Sequence, residues 1–340
     1  MMKSNLRKRI LAGIGTLALA AGILSGCGNT GTSSTTAGGS GDFKVAYISA
    51  CPFEDGGWGS SCYAGYKASA EKFEGITTYE AENVSLENLT STVKKYCDSG
   101  VDLIISPDAD LSDPVAEVAE DYPNVRFAVI DGTYTAENAM TMSQDNAQIG
   151  YIAGVIAALQ TKTNSIGFVG GEETDEIVKA SKAMEAGAKS INPDIAFTSV
   201  MSGSWTDVAK GKEIGLSMIS SNNVDVIFSF ASGVDSGVRE ACVSSKDVYF
   251  IAQPSEAMEE APEITVTSII QSNEKLIYNA MEAVKEDNFK GEFTKYGFGE
   301  EGTCSLGKFN SFFDGEKQKQ VQETVESIVK GDIDVYSCCN

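Results

Sequence analysis

From residue 43 onward, short apolar runs alternate with longer stretches in which apolar positions recur every three to four residues. The runs 44–49, 77–81, 103–106 and 126–131 have the length of strands buried on both faces. Between them, 60–73, 86–98 and 113–122 carry the helical period, and Gly100 follows the second as a stop signal. The pattern then restarts. A long helix is predicted over 146–159, then strand 165–169, helix 175–191, strand 195–201, helix 207–220, strand 224–229, helix 235–244 and strand 248–252. Strand 265–270 and helices 274–286 and 316–329 complete the chain.

Strands alternating with helices imply parallel sheets joined by right-handed crossovers. Two successive sets imply an α/β protein of two doubly wound parallel-sheet lobes with a hinge. The expected N-terminal lobe is 43–145 plus about 272–298, and the expected C-terminal lobe is 146–271 plus about 299–340. The length agrees, because about 300 residues exceed what one hydrophobic core usually supports.

The first 42 residues do not belong to this pattern. Lys3, Arg7, Lys8 and Arg9 precede a short run of apolar and small residues that ends Leu24-Ser25-Gly26-Cys27. A basic start, a short apolar centre and small residues at the end describe a secretory signal over 1–26, since a membrane span needs roughly 20 apolar residues. The Leu-Ser-Gly-Cys ending resembles the bacterial lipoprotein signal, which implies lipidation of Cys27. Residues 27–42 are almost all Gly, Ser, Thr, Ala and Asn after the cysteine, a flexible tether that cannot bury apolar surface. The expected location is the extracytoplasmic face of a bacterial cell membrane, reached by a lipid anchor.

Composition narrows the chemistry. The formal net charge is −22, and removal of the basic leader makes it more negative. Nucleic-acid binding needs basic surface to displace counterions from phosphate, so it is excluded. The chain has no histidine, which rules out Ser-His-Asp and Cys-His catalysis and histidine-ligated metal sites. Facing carboxylates remain open to acid–base chemistry. Eight cysteines are present, and seven remain if Cys27 is acylated, an odd number that cannot pair fully within one chain. Cys51 and Cys62 flank a proposed ligand loop, and a bridge between them would clip it. No zinc-type double C-x-x-C spacing occurs, and no metal or cofactor is expected.

In doubly wound sheets, ligands bind outside the carboxyl ends of the strands. Candidate site residues therefore follow Ser49, Ser106, Ile130, Met201, Ser229 and Ile251. At these strand ends lie DGGWGSSCYAGY (55–66), PNVRFAVIDG (123–132), IGFVGGEE (166–173), GSWTDVAKGKE (203–213) and VDVIFSFASGVDSGV (224–238). Together, in this order, they resemble the BMP/PnrA-like lipoproteins, the nucleoside-binding subunits of ABC importers, over roughly 43–312. The resemblance implies a type I periplasmic-binding-protein fold, no enzymatic activity, hinge closure around one small molecule, and docking on a membrane permease. A monomer is expected.

The resemblance also assigns roles. Trp58 stands where the family stacks an aromatic on a base, a contact of about 1–3 kcal/mol that tolerates different bases. Asp55 accepts from a ligand hydroxyl or amine, or forms an Asx turn before Gly56-Gly57. Asp108 and Asp110 occupy a segment where many relatives carry aromatics. They either contact ligand or cap the next helix, for which Asp113 is the better candidate. Asp131 ends the family's Ile-Asp-Gly. Trp205 closes the cleft or packs, and Asp207 is most simply a helix N-cap. Phe230 is a candidate second stacking face, and Asp235 follows it. Where relatives carry a ribose-binding Asp, this chain has Ala252-Gln253-Pro254. Where they carry a Lys, it has Gln271. Losing a cation among carboxylates makes the cleft more acidic and points to a shifted ligand preference. A sugar-type or signalling receptor on the same fold and a secreted hydrolase are the competing readings.

Overall fold

The computed structural model describes residues 43–54, 58–299 and 302–339. Cys27, the leader and the tether lie outside the described residues, as does Asp55. In chain order the first elements are β1 (Phe43–Ile48), α1 (Trp58–Ala70), β2 (Ile76–Ala81), α2 (Leu89–Asp98), β3 (Leu103–Ser106), α3 (Ser112–Val118), β4 (Arg126–Ile130) and β5 (Ala139–Gln144). The second set is α4 (Asn146–Gln160), β6 (Ser165–Gly170), α5 (Asp175–Ile191), β7 (Ala196–Met201), α6 (Val208–Asn222), β8 (Val226–Phe230), α7 (Val234–Val243), β9 (Tyr249–Ala252) and β10 (Thr265–Gln271). Then come α8 (Asn273–Lys285), β11 (Phe293–Tyr296), β12 (Cys304–Leu306) and α9 (Gly315–Lys330).

Among the described residues these strands form two six-stranded sheets, ordered β11-β5-β4-β3-β1-β2 and β12-β10-β9-β8-β6-β7. All the pairings are parallel except β10 with β12, which is antiparallel. The expected α/β architecture of two doubly wound sheets is therefore correct, with one antiparallel edge added. Each sheet has its own core. Tyr47, Leu103 and Ile105 pack on α1 and α8 on one face of the first sheet, and Ile104, Phe127 and Val129 pack with α2 and α3 on the other. Phe168, Phe228 and Ile251 pack on α4, α5 and α9, and Val169, Ile227 and Phe250 on α6 and α7. No buried apolar cluster among the described residues spans both sheets, because the chain passes between them only through short polar segments.

Those crossing segments are bonded to one another. The Asp145 N–H donates to Tyr296 O at 2.9 Å, and the Ser272 N–H donates to Thr303 O at 2.8 Å. Thr303 Oγ1 donates to Gln144 Oε1, and Gln144 Nε2 donates to Asn273 Oδ1 at 3.4 Å. Buried polar groups need partners, and here each crossing segment supplies its neighbour's.

Three strands escape the pattern reading. β5 is fully buried, yet its sequence AMTMSQ mixes small, polar and thioether side chains and shows neither a clean apolar run nor alternation. β11 and β12 are short edge strands of four and three residues. The expected helix start at 113 also moves. Leu111 occupies the N-cap position of α3, so Asp113 sits in the first turn and favours the helix dipole without capping it. No disulfide occurs among the described residues, so the proposed clip does not form: Cys51 is exposed and Cys62 is buried in α1.

Candidate functional site

At the carboxyl ends of the first sheet, β1 and β3 are tied by a carboxylate. Asp108 Oδ2 accepts from Ser49 Oγ at 2.9 Å and from the Ala50 N–H at 2.7 Å. Burial raises the Asp108 carboxyl above its ordinary range, and these donors pull against it. Trp58 opens α1 two residues earlier than the periodicity predicts. Its Nε1–H donates to Pro107 O at 3.1 Å, so the half-buried indole is fastened to the β3 exit. Trp58 and Asp108 thus share one corner. Asp110 is exposed on a short 3₁₀ turn and lines a separate groove of about 490 Å³ with Leu86, Leu89, Glu117 and Thr133.

The ends of the second sheet hold a directed chain of side chains. Asp235, in the first turn of α7, accepts from Ser229 Oγ, from the Ala231 N–H at 2.8 Å and from Gln253 Nε2 at 2.7 Å. Gln253 Oε1 in turn accepts from Gln271 Nε2 at 2.9 Å. A carboxylate only accepts, so it orients the first amide, and that amide orients the second. Burial pushes the Asp235 carboxyl up to about 7, against the pull of these donors. Trp205 and Phe230 lie beside this chain. The Trp205 indole lies against the backbone of Gly171, at the β6 exit, where a Cβ would collide with the ring. Gly233 N–H donates to Trp205 O at 2.9 Å, and Gly171 N–H to Phe230 O at 3.3 Å. The ring of Phe230 also packs on Phe228, with centroids 5.9 Å apart. Asp207 is an N-cap, accepting from the Lys210 N–H at 3.0 Å.

Asp131 follows β4 with φ +52°, a left-handed conformation that Asn and Asp adopt more readily than most residues. Its carboxylate reaches solvent, yet protein surrounds it. Burial first, then the nearby Glu176, raises its pKa to about 6, with Lys295 opposing. Glu176 stands in the first turn of α5, on the second sheet, and Lys295 on β11 of the first. Lys295 Nζ lies 3.2 Å from both Glu176 carboxylate oxygens, and Lys179 Nζ lies 2.7 Å from one of them. Burial alone would raise Glu176, but the two ammonium groups outweigh it and hold it below its ordinary range. This bridge between the lobes was not visible in the sequence. Glu176 looks like an ordinary first-turn acid, and Lys295 lies on a strand the pattern did not reveal.

The sign of the Asp131 shift gives a test. Its folded pKa exceeds the unfolded value, so the ionised carboxylate opposes folding, and the penalty grows as pH rises from about 4 through about 6. Asp131→Asn is therefore expected to change stability little at pH 4.5 and to raise it at pH 7.5. Solvent screening limits the gain to about 1 kcal/mol or less. Urea unfolding midpoints at the two pH values measure it, and an equal effect at both would contradict the assignment.

Among the described residues, no group of three His, Cys, Asp or Glu side chains is gathered to hold a metal ion. The strand-end site is instead a set of aromatic faces, carboxylates and amides distributed over two sheets. A family model described as ABC transporter substrate-binding protein PnrA-like matches residues 43–338. The chain belongs to that family. Its members are binding proteins, not enzymes, which sets aside the hydrolase reading. A nucleoside-binding protein of Lactococcus lactis, BmpA, is 30% identical over 296 residues, covering 84% of this chain and 80% of its own. A purine-binding protein of Brucella abortus is 26% identical, covering 86% and 83%. A solute-binding protein structure from Aeropyrum pernix superposes with a TM-score of 0.71 at 18% identity, over 86% of this chain and 92% of that one, a likeness of fold. The PnrA-like match runs on through α9 to the C-terminal turn, beyond the five segments legible in the sequence.

Proposed function

We propose that this chain is a lipid-anchored, extracytoplasmic receptor that captures a nucleoside or related heteroaromatic compound between its two sheets and delivers it, as a monomer, to an ABC importer. The observation that carries the reading is the placement of Trp58, fastened to Pro107, and of the Asp235–Gln253–Gln271 chain at the carboxyl ends of opposite sheets. An aromatic face supplies sequence-tolerant stacking on a base, and directed amides and carboxylates select hydroxyl and amine donors. The nucleoside-binding and purine-binding relatives support the ligand class. Asp108 and Asp131, with Gln271 where relatives carry Lys, favour a ligand richer in donors or positive charge than the common purine nucleosides. The Leu-Ser-Gly-Cys leader supports anchoring at Cys27.

Isothermal titration against a panel of nucleosides, bases, pentoses and hexoses tests the ligand. Saturable 1:1 binding of a nucleoside is expected. Binding of free sugars with no response to any nucleoside would overturn the class, and tight, ordinary inosine or guanosine binding would overturn the shifted preference. Mass spectrometry of the mature N-terminus tests the anchor, with a diacylglycerol-modified Cys27 expected and an unmodified residue contradicting it.

A further inference from the structure

The C-terminal turn carries adjacent thiols that the strand-end site does not use. Val335 is buried, and Tyr336 OH donates to Asp145 Oδ2 at the start of α4, which fixes the turn against the second lobe. Beyond this anchor, Cys338 and Cys339 are both half-buried. Their sulfurs lie 3.7 Å apart on one side of the backbone. Both thiols donate to Val335 O, at 3.2 and 3.5 Å, and Cys339 also reaches Lys179 O on α5 at 3.7 Å.

This separation is unlike a disulfide, whose sulfurs sit about 2.05 Å apart and whose Cα atoms are usually about 4.4–6.8 Å apart. Consecutive Cα atoms are held at about 3.8 Å, so joining these sulfurs would close a strained ring. A trivalent centre such as arsenic is pyramidal, and two sulfurs at about 2.3 Å with an angle near 95° between them stand about 3.4 Å apart, so a small rotation of the two side chains brings the pair onto it. Since the described residues gather no third metal-type ligand, the centre must bring its remaining ligands with it. Soft thiolates select soft centres.

We propose that Cys338 and Cys339 form a two-sulfur clamp for a thiophilic metalloid centre that supplies its own remaining substituent, such as a trivalent organoarsenical. Two As–S bonds form, the As=O oxygen leaves as water with both thiol protons, and arsenic stays trivalent. Burial and the neighbouring Cys338 push the Cys339 thiol up to about 11, so Cys339 rests protonated and gives up its proton to the incoming atom. Among the other described cysteines, Cys62, Cys97, Cys242 and Cys304 are buried in the cores, and Cys51 stands far along the chain from any adjacent thiol.

Phenylarsine oxide added to the purified full-length protein tests the clamp by intact-mass spectrometry. One adduct per chain is expected, surviving excess monothiol and released by a small dithiol. It should vanish in either Cys338→Ser or Cys339→Ser and persist in Cys51→Ser, because a single thiol yields its arsenical to competing monothiol. An adduct retained in the double variant C338S/C339S, no adduct on the reduced wild type, or the pair isolated as a stable disulfide would overturn the proposal.

Discussion

Asp235→Ala is expected to cost about 2–4 kcal/mol of folding stability, because it removes the acceptor shared by three donors. The Ala231 N–H loses its acceptor, the Gln253 amide keeps only its longer bond to Ser229 O at 3.3 Å, and the Ser229 hydroxyl is free to rotate toward another. The loss depends on pH. Burial holds the Asp235 pKa near 7, above its unfolded value, so the ionised carboxylate itself opposes folding increasingly as pH rises from about 4 through about 7. The alanine variant should therefore be most destabilised at acid pH and less so at pH 8, as read from urea unfolding. Asp235→Asn separates packing from direction. The asparagine amide turns a donor toward the Gln253 amide donor or forces Gln253 and Gln271 to reverse together. A reversed chain offers donors where the native chain offers acceptors. With the fold kept, ligand affinity is expected to fall about tenfold to a hundredfold, about 1.4–2.8 kcal/mol. Native affinity in the asparagine variant would mean that Asp235 only braces the β8 exit.

That chain could be located in the sequence but not assembled from it. Asp235 and Gln253 follow strands whose ends the strand-end rule singles out, and Gln271 was marked only by the resemblance, where relatives carry Lys. Their serial bonding depends on the lateral order β10-β9-β8, which periodicity does not encode. Long helices were legible nearly to the residue, as α5 shows at Asp175–Ile191, because a long amphipathic stretch averages out local exceptions. Short strands offer no such averaging. β11 was invisible, and Lys295 with it, so the ionic link to Glu176 across the sheets had no sequence signature. Trp205 and Phe230 were identified as aromatics near strand ends. What remained hidden was how far packing constrains them, since the tolerance of Trp205 depends on a glycine 34 positions earlier, Gly171. Asp110 shows how little spacing alone fixes position. It shares a segment with Asp108, yet one 3₁₀ turn carries it to a different groove.

A second stability loss, which grows with side-chain size, is expected at the seam between α4 and α5. Gly150 and Gly154 are one turn apart on α4, and a Cβ on them would collide with Ala180 O and Met184 O of α5. A Cβ on Gly187 of α5 would meet Tyr151 O in return. The obstructing atoms are backbone carbonyls on the packed face of a helix, which cannot rotate aside as a side chain does. Two effects then oppose each other in Gly154→Ala. Helix propensity favours alanine by about 1 kcal/mol, while overpacking a close seam costs about 1–3 kcal/mol and occasionally more. The seam should win, giving net destabilisation of about 1–2 kcal/mol for alanine and at least about 3 kcal/mol for leucine. A stabilised alanine variant would show that the helices have room to part. The consequence reaches the ligand, because α4 begins at Asp145, whose N–H bonds Tyr296 where the chain crosses between sheets. Pushing α4 away from α5 displaces that crossing. Gly154→Ala should therefore weaken ligand binding even at temperatures where the protein remains fully folded, and titration well below the unfolding midpoint separates this effect from loss of native protein.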